Sequence, residues 1–147
     1  MEKEFIPYTE ALSLKELGFD EPCFGFHSKI HGLMMVKTSG SSSLYKDAGE
    51  CLAPTFSQAF RWFRDKYDLN PLVAFDKYIC EIDDEELENP YFTYYYSINE
   101  LWAEGKDYDK FTRGFINVAS NRDMLSHEEA ELECLKKLIE IVESKTE

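Results

Sequence analysis

Residues 55–67 constrain this chain more than any other stretch. Phe56, Ala59, Phe60, Phe63 and Tyr67 recur at helical spacing, which predicts a helix with all five on one buried face. Trp62 is expected on the flank of that face, with Arg61, Arg64 and Asp65 further toward solvent. Thr55 and Gln58 have the spacing of a capping box, the hydroxyl serving one orphan amide and the side-chain amide reaching back to another. So much aromatic surface on one helix is best covered by a sheet laid across it.

The flanking segments supply strands for such a sheet. Ala11, Leu14 and Leu17 form an apolar strip ending at Gly18, so residues 8–17 read as a helix closed by a left-handed glycine, with Phe19 folding back on Leu14. After Pro22, residues 23–29 alternate with Phe24 and Phe26 on one side. His31 and Gly32 then turn the chain into residues 33–36, giving a hairpin. Residues 72–82 and 91–98 are rich in β-branched and aromatic side chains and form a second hairpin. Between them, Asp83, Asp84, Glu85, Glu86 and Glu88 make a loop expected to stay hydrated and flexible. Residues 101–121 are the least readable: Leu101 and Trp102 either continue the strand or begin a helical turn, and 115–118 suits a short edge strand. Ser126 and Glu129 cap a last helix whose buried face is Leu135, Leu138, Ile139 and Val142, with Glu133 positioned to pair with Lys137. The reading is a single α+β domain over residues 1–147. Its antiparallel sheet is built from two β-hairpins packed against helices, in the order α-β-β-α-β-β-α.

Charge narrows the function classes. Lys and Arg total 16 against 29 Asp and Glu, a net charge of −13. A field of that sign repels phosphate backbones, so direct nucleic-acid binding is not expected, and a protein partner with a basic surface is. The plainer reading is that acidity only keeps the protein soluble. The first five residues carry no apolar run and no stretch approaches a membrane span, so neither a targeting peptide nor a membrane anchor is expected. Cys23, Cys51, Cys80 and Cys134 form no C-x-x-C pair and have apolar neighbours, which suits reduced thiols in the cytoplasm.

No catalytic residue, metal ligand set or cofactor emerges. Cys23, His27 and His31 have a tempting four-and-four spacing, with Cys51 or an acidic residue as a fourth ligand, but residues four apart on a strand lie roughly 13 Å apart. Nothing local resembles a nucleophile elbow, and an enzyme ranks last among the classes. Residues 38–43 are rich in Ser, Thr and Gly but lack the lysine of a phosphate loop. Two surfaces stay open as binding sites. One joins Tyr91 and Tyr95 to Asp83, Asp84, Glu85 and Glu86 as a protein-binding patch, unless a further helix covers the two tyrosines. The other is a small-ligand or nucleotide pocket formed by Ser41, Ser42, Tyr45 and Trp62.

Residues 5–24, with Pro7, Tyr8, Ala11, Leu12, Leu14 and the run 15–24, resemble the opening of a family of short uncharacterised proteins carried by phages and integrated elements of gut bacteria. The blocks 53–67, 94–98 and 128–140 fit the same resemblance, about half the chain, while the interval 103–125 is longer than the family's usual connection. The resemblance implies no activity, cofactor or catalytic residue. Weighed with the charge, the leading expectation is a non-catalytic accessory protein of a phage or mobile element that binds another protein, with a basic surface on host machinery as the partner.

Overall fold

The computed structural model describes residues 2–40, 51–78, 81–82, 85–86, 91–101, 115–124 and 126–146. The protein is α+β, with two three-stranded antiparallel sheets among these residues, and the chain divides into two compact units. The first comprises Met1–Tyr67 with Ile139–Glu147, and the second comprises Asp68–Leu138.

In the first unit, α1 (Tyr8–Glu16) ends as its sequence dictates. Gly18 has φ +87°, its N–H donates to the Lys15 carbonyl, and the Phe19 N–H donates back to Leu14. β1 (Cys23–Ser28) pairs with β2 (Gly32–Gly40) on one side and β3 (Cys51–Ala53) on the other. The hairpin turn is held by Ser28, whose hydroxyl accepts from the Ile30 and His31 amides, and Gly32 takes φ +72° to re-enter the strand. The 23–29 alternation sorts the side chains by face. Cys23, Gly25 and His27 are buried, while Phe24 is exposed and Phe26 half-buried on the opposite face. Gly25 leaves room for the Phe5 ring above it: an added Cβ would sit 3.0 Å from that ring and 3.2 Å from the Ala53 carbonyl, so one of them would have to shift.

α2 (Phe56–Tyr67) is the expected aromatic helix, and its capping box is in place. The Gln58 amide donates to Thr55 Oγ1, and the Thr55 amide donates to Gln58 Oε1. Its buried arc differs from the expected one. Phe56, Ala59, Trp62 and Phe63 are buried, whereas Phe60 and Tyr67 are half-buried. Trp62 belongs to the core because Phe19, Phe63 and Tyr67 meet its ring edge-on at centroid distances of 5.4, 5.1 and 5.3 Å. The Lys66 ammonium covers the indole at 4.7 Å and donates to the Leu17 carbonyl.

In the second unit, β4 (Leu69–Tyr78), β7 (Tyr91–Leu101) and β8 (Phe115–Met124) form a sheet in that order. The second hairpin is therefore present, but it is not joined to the first in a single sheet. Each hairpin instead acquires its own third strand, giving α-β-β-β-α-β-β-β-α in place of the shorter expected order. The addition is physically reasonable, since a two-stranded hairpin is marginal alone and a third strand provides a face wide enough to bury. β8 begins at the expected 115 and runs ten residues, with two register slips against β7. Within the expected acidic loop, Glu85 and Glu86 are paired backbone to backbone with Ile82 and Glu81 as β6 (Glu85–Glu86) and β5 (Glu81–Ile82). A short ladder, rather than hydrated coil, therefore holds these two positions.

The last helix, α3 (His127–Thr146), starts under the Ser126 cap, whose hydroxyl accepts from the Glu129 amide. Ala130, Cys134, Leu135 and Leu138 are buried along one stripe, which continues through Ile139 and Val142. His127 meets Tyr94 of β7 edge-on at 5.9 Å, which puts the start of α3 beside the face carrying Tyr94, Tyr96 and Ile98. Glu133 pairs with Lys136 at 2.8 Å, three residues on, instead of the Lys137 that its spacing had suggested. Both lysines lie within reach on a helix, and the observed rotamer selects the nearer turn.

Candidate protein-binding surface

Alternation along β7 gives its two faces different fates. On one, Tyr96 and Ile98 are buried, and Tyr94 packs against His127 and, at 6.4 Å, Phe75. On the other lie buried Thr93 and half-buried Tyr95 and Ser97, registered against Asp76, Ala74 and Leu72 of β4. Leu72 is 51 % exposed there, an apolar side chain that no core requires. Ser120 of β8 stands opposite Ser97 and extends the same face.

Arg122 organises this surface. Its guanidinium lies 5.3 Å from the Tyr95 ring centroid and 3.7 Å from the Asp76 carboxylate, so it bridges the outer strands across the middle one. The Tyr95 ring is thus met by a cation from the neighbouring strand. The pair with Asp76 is more than half exposed on both sides, so it orients the arginine without adding much stability. A half-buried tyrosine, a neighbouring leucine and a partly neutralised arginine form an amphipathic patch suited to protein contact.

The acidic element continues from this sheet. Tyr78 and Tyr91 form the last rung of the β4–β7 ladder, and the β5–β6 ladder caps the connection between them. Of the residues expected in the patch, Tyr95 is on the surface described, Tyr91 is placed by its backbone at the end of the ladder, and Glu85 and Glu86 are placed on β6. Asp83 and Asp84 lie outside the described residues. Leu72, Asp76 and Arg122 were missed by sequence reasoning. The signal that finds them is strand register, which one sequence does not reveal for β8 because the connection to it is long.

Of the alternative pocket, only Trp62 falls among the described residues. Ser41, Ser42 and Tyr45 lie outside the described residues, and Trp62 is 5 % exposed with its ring taken up by packing. The cysteine and histidine positions are also accounted for. Cys23 donates its thiol to the Glu21 carbonyl at 3.3 Å, His27 Nε2 donates to the buried Ile6 carbonyl at 2.7 Å, and His31 is exposed in the turn. Cys51 stands opposite His27 in the β1–β3 ladder. Burial, only partly opposed by the Lys15 charge, pushes the Cys51 thiol up to about 11. It is protonated at neutral pH and is not an activated nucleophile. Burial likewise pushes Cys23 and Cys134 up to about 12, with nearby Glu21 and Glu131 adding to it. Cys80 lies outside the described residues. Among those residues, no three His, Cys, Asp or Glu side chains gather closely enough to hold a metal ion, and no helix is long and apolar enough to cross a membrane.

Comparison of the chain with protein-family models, with curated proteins and with solved structures finds no match.

Proposed function

We propose that this chain is a non-catalytic protein-binding module. Its exposed β4–β7–β8 face and neighbouring acidic ladder take a partner with a basic surface. The observation that carries the reading is the exposure of Leu72 beside Tyr95 on a sheet face where Arg122 and Asp76 already form a polar rim. The net charge of −13 favours a basic partner and speeds its approach. The resemblance of residues 5–24 and 53–67 to proteins of phages and integrated elements supports host machinery as the source of that partner, and the buried thiols are in keeping with a reducing host cytoplasm.

Affinity capture from a bacterial host lysate tests this, followed by titration of the recovered protein in purified form. Wild type should retain a basic protein whose binding weakens as salt rises. Tyr95→Ala and the double change Glu85→Gln with Glu86→Gln should each weaken binding by roughly tenfold or more. Retention of the same protein by all variants, independent of salt, would refute the assignment of this face.

A further inference from the structure

Sulfur is divided unequally between surface and interior. Among the described residues, Cys23, Cys51, Cys134 and Met124 are all buried, at 4 % exposure or less, whereas Met34 and Met35 are 37 % and 53 % exposed. The place of β2 in its sheet explains the difference. In the order β2-β1-β3 it is an outer strand, with a ladder on one side only among the described residues. Met34 stands opposite Phe26, and Met35 stands opposite Gly25. Successive residues of a strand point to opposite faces. Met34 therefore shares one face with exposed Phe24 and half-buried Phe26, and Met35 shares the other with Gly25, which has no side chain to cover it. The two thioethers meet solvent from opposite sides of the same strand.

An oxidant that seeks a nucleophilic sulfur ordinarily finds a thiolate. Burial closes that route here in two ways. It bars access to Cys23, Cys51 and Cys134, and it keeps their protons on, with the Cys51 thiol pushed up to about 11 and the other two to about 12. At pH 7 only about one Cys51 in ten thousand is then a thiolate. A thioether has no proton to lose, and access governs its oxidation. We infer that Met34 and Met35 together form a peroxide-reactive modification site, each converting to its sulfoxide while the buried sulfurs are spared. In each conversion a sulfur lone pair attacks one oxygen of hydrogen peroxide, an S–O bond forms and the O–O bond breaks. A proton passes from the transferred oxygen to the departing one, which leaves as water. The sulfur is oxidised by two electrons and the peroxide is reduced by the same two. A methionine sulfoxide reductase supplied with a dithiol restores the thioether, and the sulfoxide oxygen leaves as water. At Met34 the modification sets a polar, chiral group beside Phe24 and Phe26, so the outer face of the hairpin loses apolar character while the interior is unaltered.

Peptide mapping of the wild-type chain tests this without any substitution or partner. Reduced protein is exposed to hydrogen peroxide at pH 7, and timed samples are quenched, denatured, alkylated at their remaining thiols and cut after Lys and Arg. The sequence separates the sulfurs conveniently: the peptide 30–37 contains Met34 and Met35 and no other sulfur, and the peptide 123–136 contains both Met124 and Cys134. The first should gain one and then two oxygens, with fragment ions placing one on each methionine. The second should carry an alkylated Cys134 and an unaltered Met124, its oxidation slower by roughly tenfold or more. Repeated in concentrated urea, the experiment should bring Met124 to the same rate as the other two, because the fold alone protects it. Oxidation confined to one methionine of the pair, a Met124 that keeps pace in the folded protein or stays slow in urea, or loss of the Cys134 thiol ahead of the thioethers would each overturn the inference.

Discussion

Phe60 and Trp62 occupy neighbouring positions on α2, yet their environments are opposite to those suggested by spacing. The buried face keeps Phe56, Ala59 and Phe63 of the expected one but is rotated so that Trp62 is taken in while Phe60 and Tyr67 are left half-buried. The rotation matters for energetics. Phe63 is fully buried between Trp62 and Tyr67, so Phe63→Ala should cost about 3 to 5 kcal/mol through the cavity it leaves. Phe60 is only half-buried against Phe56, and Phe60→Ala should cost about 1 to 2 kcal/mol. Thermal melts of the two variants side by side check the ordering, and equal losses would return Phe60 to the core. The sequence signal for Trp62 was weak because an indole at the edge of an apolar stripe is accommodated either way. The decision came from Phe19, far away in the chain, whose ring position no local pattern encodes.

Elements with local chemical punctuation were legible. The end of α1 at Gly18 and Phe19, the Thr55–Gln58 box of α2 and the Ser126 cap of α3 are all short-range arrangements, and all three are formed. Gly18→Ala should therefore cost about 1 to 2 kcal/mol, because φ +87° is strained for any residue with a Cβ, and Lys66 Nζ would lie only 3.4 Å from the added atom. A denaturant titration measures that loss, and an unchanged midpoint would mean the left-handed cap is dispensable. The strands β3 and β8 were harder to see for different reasons. β3 is three residues long, too short to show alternation, and it is a strand only because β1 supplies its ladder. β8 carries two register slips that break its period, so most of its ten residues did not read as a strand. The candidate surface inherits this limit. Tyr95 was legible from alternation within β7, whereas Arg122 reaches it only through β8, and the role of Asp76 follows from that same crossing.

For the molecule as a whole, the three buried thiols among the described residues make stability fall at alkaline pH. Each folded-state value, about 11 or about 12, lies above the ordinary 9.0, so the folded protein keeps protons that the unfolded chain gives up. The stabilisation is complete below pH 9 and is lost as pH rises through that window toward 11 to 12, at about 1.4 kcal/mol per pH unit for each thiol. Urea titrations at pH 8 and pH 10 should show the decline, and Cys134→Ala should make it shallower. An identical slope in the variant would mean that thiol is not the source. A separate consequence concerns synthesis. The first unit is discontinuous, since it takes Met1–Tyr67 and then Ile139–Glu147, while every residue of the second lies between them. On the ribosome, Ile139 and Val142, both buried, leave the exit tunnel after all of the second unit. The part of the protein made first is therefore the part finished last.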